Sequence, residues 1–214
     1  MGNKITEMVF IIDKSGSMAG YESDTVGGFN SMISRQREAG GKVYVSTVLF
    51  SNRSTVLHDR VDIIQVKPMT EDDYRVGGGT ALIDAIGSAI RHIGNVHKYA
   101  RPEDVPESTV FIITTDGMEN ASYTFDSDTV KDLIKRYTEE HGWEFIFLAA
   151  NIDAVETAGN MGIRKERAMN FEATHEGVRA QYRMMSDAVL CMRSDPNTFK
   201  SKDIKNIKNE KEKN

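Results

Sequence analysis

Five residues that offer oxygen, Asp13, Ser15, Ser17, Thr80 and Asp116, stand where three loops could bring them together. The first three lie in DKSGSM, directly after the apolar run MVFII; Thr80 closes GGGT ahead of ALIDAI; Asp116 lies in TTDGMEN, after TVFII. Two are carboxylates, three are hydroxyls and none is sulfur or imidazole, a donor set suited to one hard divalent cation at near-octahedral geometry. Magnesium is the first expectation, with manganese and calcium as alternatives. Alternation at 13, 15 and 17 lets a looping backbone aim several side chains at one point, and Gly16 permits close approach. Each residue also has an ordinary reading. Thr80 could cap a helix, Ser15 or Ser17 could cap another, and Asp116 with Gly117 could form a turn. The argument for chemistry rests on their joint position.

That position follows from the elements around them. Continuous apolar runs at 8–12 and 109–113 have the pattern of strands buried on both faces. KVYVSTVLF at 42–50 and STVLH at 54–58 are close enough to pair as an antiparallel edge hairpin. WEFIFLA at 143–149 and a segment near 167–172 supply two further strands. Helical spacing is expected over 22–39, from Thr80 through Ile93, over 127–140, over 153–159 and over 175–192. Strand and helix alternate, which predicts an α/β fold: a Rossmann-like, open, mostly parallel six-stranded sheet with one antiparallel edge strand and helices on both faces. In such sheets ligands sit beyond the carboxyl ends of the strands, where strand order reverses. The three oxygen-bearing loops belong to that rim.

Composition narrows the classes. At 214 residues one domain is expected over 1–199, followed by a Lys-rich tail at 200–214. The tail carries six Lys against Asp203, Glu210 and Glu212 and only two isoleucines, so disorder is expected there. The net charge of −5, acidic outside the tail, does not suit a nucleic-acid groove. Cys191 is the one cysteine, which excludes an intrachain disulfide and fits a reducing, cytoplasmic setting. No apolar run is long enough to enter a membrane. Met1 and Gly2 open the chain as in lipidated proteins, but Lys4 alone gives little membrane attraction.

With Asp-x-Ser-x-Ser after a core strand, Gly-Thr before a helix and Thr-Asp-Gly after another core strand, the chain resembles von Willebrand factor A domains that carry a metal-ion-dependent adhesion site. The resemblance covers about residues 7 to 192 and points to a bacterial or phage-type, stand-alone cytoplasmic member. It implies that Ser15, Ser17 and Thr80 supply hydroxyl ligands, while Asp13 and Asp116 act directly or through water. It also implies an open coordination position for an Asp or Glu of a protein partner.

Two other functions compete. In a magnesium-dependent phosphohydrolase of the haloacid dehalogenase type Asp13 would be the nucleophile, but the second acid such chemistry wants is Ser15 here. In a metal-stabilised scaffold the cation would hold the loops with no partner at the metal. GGGT lacks the lysine of a phosphate-binding loop, and no enzyme activity is expected. Asn151 and Asp153 share the ligand rim as secondary candidates, although Asp153 is a natural N-cap. Thr70 with Asp73 reads as a capping box, and Met184, Met185, Leu190 and Met192 as core.

Overall fold

The computed structural model describes residues 5–207. The run MVFII lies inside β1 (Ile5–Asp13), every residue of which is buried. It continues through a 3-10 turn at Gly16–Met18 into α1 (Glu22–Glu38) and then β2 (Lys42–Phe50) and β3 (Ser54–Asp62). α2 (Leu82–Tyr99) leads to β4 (Ser108–Thr115), α3 (Ser127–His141) to β5 (Glu144–Ala149), and α4 (Ala154–Asn160) to the short β6 (Ala168–Asn170). α5 (His175–Ser194) and α6 (Pro196–Ser201) follow.

The six strands are ordered β3-β2-β1-β4-β5-β6, and only β3 runs antiparallel. Successive residues of β1 serve opposite sides. Met8, Phe10 and Ile12 join Phe29, Met185 and Val189 in one core, while Val9 and Ile11 join Ile86, Ile90 and Ile134 in the other. Helices therefore cover both faces, as the alternation requires. Leaving β1, the chain first builds outward through β2, then returns to the opposite side of β1 with β4. Strand order reverses between β1 and β4, and their carboxyl ends carry Asp13 and Asp116. No helix among the described residues is long and apolar enough to cross a membrane.

Several boundaries depart from the sequence reading for identifiable reasons. β3 runs to Asp62 rather than stopping at 58, because a register irregularity opposite Thr47 and a left-handed backbone at Arg60 (φ 49°) let the ladder continue. The Arg60 Nε donates to both oxygens of the fully buried Glu7, at 2.9 and 3.0 Å, and His97 contacts the same carboxylate at 3.0 Å. Thr80 does not cap α2, whose N-cap is Ala81. Thr70 and Asp73 form the reciprocal bonds of a capping box, but they close an isolated turn rather than a helix.

The segment expected to be disordered contains buried residues. Ile204 and Ile207 are buried with Phe199 in the core beneath α5, while Lys200, Ser201, Lys202, Lys205 and Asn206 are exposed. Arg167, 1% exposed, donates to the Phe199 and Lys202 carbonyls at 2.7 and 2.8 Å and to Glu144 at 3.0 Å, with Phe199 against its guanidinium. Two isoleucines suffice because a buried arginine satisfies the carbonyls at the end of α6. Gly2 and the remainder of the tail, 208–214, lie outside the described residues.

Ile204→Ala should therefore cost about 2–4 kcal/mol of stability, read as a shifted urea midpoint with unchanged slope. A solvated tail would give no shift. His58 provides a pH test. It is buried between Thr47 Oγ1 (3.0 Å) and the Lys67 carbonyl (3.1 Å), and burial holds its pKa below the ordinary 6.5. The native state favours the neutral ring, so its contribution is complete above the unfolded pKa and is lost as pH falls below it. Asp73 nearby is held below 3.8 by its bonds to Thr70, so its own loss falls at lower pH. Stability should drop between roughly pH 7 and pH 5 in the wild type and less in His58→Gln.

Candidate functional site

β1 ends at Asp13, which is 1% exposed and held from two directions. Its Oδ1 accepts from the Ser15 backbone N–H at 2.7 Å, and its Oδ2 accepts from Thr115 Oγ1 at 2.6 Å. The hydroxyl of the buried Tyr74 donates to the Asp13 carbonyl. Ser15 Oγ and Ser17 Oγ lie 3.1 Å apart, and Ser17 Oγ donates to Asp116 Oδ1 at 2.5 Å. Four of the five residues thus form one hydrogen-bonded chain across two loops.

Thr80 arrives on the third loop. The Gly16 N–H donates to the Gly78 carbonyl (3.0 Å) and the Gly77 N–H to the Lys14 carbonyl (2.9 Å), which joins the GGGT segment to DKSGS. Gly78 has φ +82°, a conformation that L side chains rarely adopt, and a Cβ there would meet Asn52 at 2.9 Å. Thr80 is buried, and its hydroxyl makes none of the bonds that hold the loop. Gly117 lies between the loops: a Cβ on it would be 3.5 Å from both Thr80 Oγ1 and Ser17 Oγ. All five residues therefore come to one point at the rim between β1 and β4.

Sequence reasoning missed the side chains that hold these loops. Asn52 accepts from the Gly79 N–H at 2.6 Å, and Asn120 accepts from the Thr80 N–H at 2.8 Å. Glu119 caps the start of α2 in place of Thr80, accepting from the Ile83 N–H at 2.8 Å while binding the N–H groups of Ala121 and Ser122. Asp84 answers from α2 by accepting from the N–H groups of Tyr123, Thr124 and Phe125. An acidic residue in the first turn of a helix was a visible signal for Asp84. Its partners, some 40 residues away, were not visible. Asp153 caps α4 as expected, accepting from Val155 and Glu156 at 2.9 Å. Asn151, with φ 58°, donates to the Asp116 carbonyl at 3.3 Å, so it touches the site through backbone.

The electrostatics follow from burial. Desolvation raises the Asp13 carboxyl above its ordinary value, against the lowering effect of Thr115 and Ser15. It also raises Asp116, where Ser17 lowers and the charge of Asp13 raises. Among the described residues neither carboxylate has an ion-pair partner, and three hydroxyl oxygens surround them. Two buried anions without a counter-ion, in an all-oxygen setting, match what a divalent cation requires.

No family model matches the chain, and no curated protein matches it. Solved structures do. The von Willebrand factor domain of the type V pilus tip protein Mfa5 from Porphyromonas gingivalis superimposes with a TM-score of 0.63 at 11% identity, over 88% of this chain and 96% of that one. The PilB minor pilin of Streptococcus sanguinis, as its D319A mutant, gives 0.60 at 13% identity over 88% and 62%. A von Willebrand factor type A protein from Catenulispora acidiphila gives 0.54 at 13% identity over 86% and 42%. The chain thus spans under two thirds of the length of the last two. The fold is that of von Willebrand factor A-type domains.

Asn120→Ala removes the acceptor for the Thr80 N–H and should cost about 1–2 kcal/mol. Amide exchange should accelerate at Thr80 and Ala81 while the amides of β1 stay protected. Uniform acceleration would show that Asn120 does not act on this loop.

Proposed function

We propose that this chain is a divalent-cation-dependent protein-binding module. Asp13, Ser15, Ser17, Thr80 and Asp116 would hold one cation, with magnesium favoured and manganese or calcium as alternatives. Bound there, the cation would offer a coordination position to an Asp or Glu of a partner protein. The observation that carries this reading is the pair of buried carboxylates, Asp13 and Asp116, with no cationic partner among the described residues and with three hydroxyl-bearing side chains gathered around them. Pilus proteins among the structural neighbours agree with a role in protein contact.

The rival reading is a magnesium-dependent phosphohydrolase with Asp13 as nucleophile, and the sequence argues against it. The position where a phosphohydrolase wants a second acid is Ser15, whose hydroxyl lies against Ser17. A scaffold stabilised by the cation alone needs the same ligands and differs only in having no partner at the metal. The single cysteine accords with a cytoplasmic setting.

Calorimetric titration of magnesium, manganese and calcium tests the reading. The wild type should bind at least one ion at a single site, Asp13→Ala should lose binding by more than about tenfold, and Thr80→Ala should weaken it less. Wild type that binds none of the three ends the proposal. A partner captured from lysate should be released by chelator; capture that is unaffected would favour the scaffold. Turnover of p-nitrophenyl phosphate that vanishes in Asp13→Asn would replace the module with a hydrolase.

A further inference from the structure

α1 and α5 lie side by side and parallel on one face of the sheet. Asp24 meets His175 and Arg179, Gly28 meets Tyr182, Arg35 meets Asp187 and Gln36 meets Ser186. Gly28 permits the close approach, since a Cβ there would fall 2.4 Å from Tyr182 Cδ2. Gly27 has no such reason. It is exposed, and a Cβ built on it meets no atom within 4 Å. A helix-interior glycine is destabilising relative to alanine, so the packing of this chain does not account for it.

Gly27 borders a groove of about 430 Å³ that follows the seam between the two helices. Met32 and Tyr182, both buried, lie under it; Gly27 and Ser31 line it from α1, and Arg183 lines it from α5. An ion pair stands toward each end, Arg179 with Asp24 at 3.3 Å and Arg35 with Asp187 at 2.8 Å. The carboxylates of the groove are thereby committed. Between them Arg183 is exposed, and among the described residues no hydrogen bond or ion pair engages it. The uncommitted charge of the groove is positive, on a chain whose net charge is −5.

We propose that this groove is a second protein-binding site, independent of the cation, that takes an extended acidic segment of a partner with one carboxylate on Arg183. Charge selects the segment, and the open space at Gly27 suits an extended backbone. From Ser23 to Arg35, α1 advances ~18 Å at ~1.5 Å per residue. That matches about five or six extended residues at ~3.3 Å each. The floor of Met32 and Tyr182 accepts an apolar side chain beside the acidic one, and the missing side chain at Gly27 gives the partner's backbone room to approach.

Selection of a phage-displayed random dodecapeptide library on the full chain, in chelator, tests the proposal. Enriched peptides should be rich in Asp and Glu. By fluorescence anisotropy their affinity should fall at least about tenfold in Arg183→Gln and in Gly27→Leu, and should be unchanged in Arg136→Gln, which removes an exposed arginine from α3 on the opposite face of the sheet. Gly27→Leu should melt at or above the wild-type temperature, because the space around residue 27 is open, so its loss of binding is not a loss of fold. The proposal is overturned by a selection that yields no peptide, by peptides without acidic residues, by binding that survives both groove variants, or by binding lost equally in Arg136→Gln. Because chelator is present throughout, the result does not depend on the outcome of the metal titration.

Discussion

Asp13 and Asp116 sit at the ends of neighbouring parallel strands, out of water and, among the described residues, without a basic side chain to neutralise them. Desolvation opposes the ionised form of both, and the charge of Asp13 further opposes that of Asp116. Much of the surrounding structure serves to hold this arrangement. Thr115 and the Ser15 N–H fix one carboxylate, and Ser17 fixes the other. The strand-order reversal between β1 and β4 supplies the crevice, because chain connections leave β1 and β4 in opposite directions and none crosses the gap.

The loops are fixed by side chains that reach between them. Glu119 and Asp84 exchange roles across the start of α2, each carboxylate accepting backbone N–H groups from the other's segment. This arrangement leaves Thr80 with its backbone secured through Asn120 and its hydroxyl uninvolved. The residue that reads most easily as a helix cap is thus relieved of capping by Glu119, which lies 36 positions beyond the Ile83 whose N–H it binds.

The sheet and the rim were legible in the sequence because doubly buried parallel strands leave continuous apolar runs. MVFII and TVFII could be placed without knowing their neighbours. The oxygen-bearing residues could be placed for the same reason, since each follows a strand or precedes a helix with clear periodicity. What was illegible depends on distant partners. β3 continues through HDRVD because Arg60 reaches Glu7, 53 residues away. The tail folds as far as Ile207 because Arg167 waits for the Phe199 and Lys202 carbonyls. Local composition carries neither fact: a Lys-rich segment with two isoleucines looks solvated until the arginine that binds its carbonyls is known.

The central position of β1 has a consequence for the growing chain. Ile5–Asp13 is made before the strands it pairs with, and its β2 edge can be paired as soon as Lys42–Phe50 emerges. Its other edge must wait for Ser108–Thr115, to which Thr6 through Ile12 are registered. At a synthesis rate of ~5–20 residues per second that edge is open for several seconds. During this interval MVFII presents an unpaired apolar ladder, the kind of surface that recruits other chains.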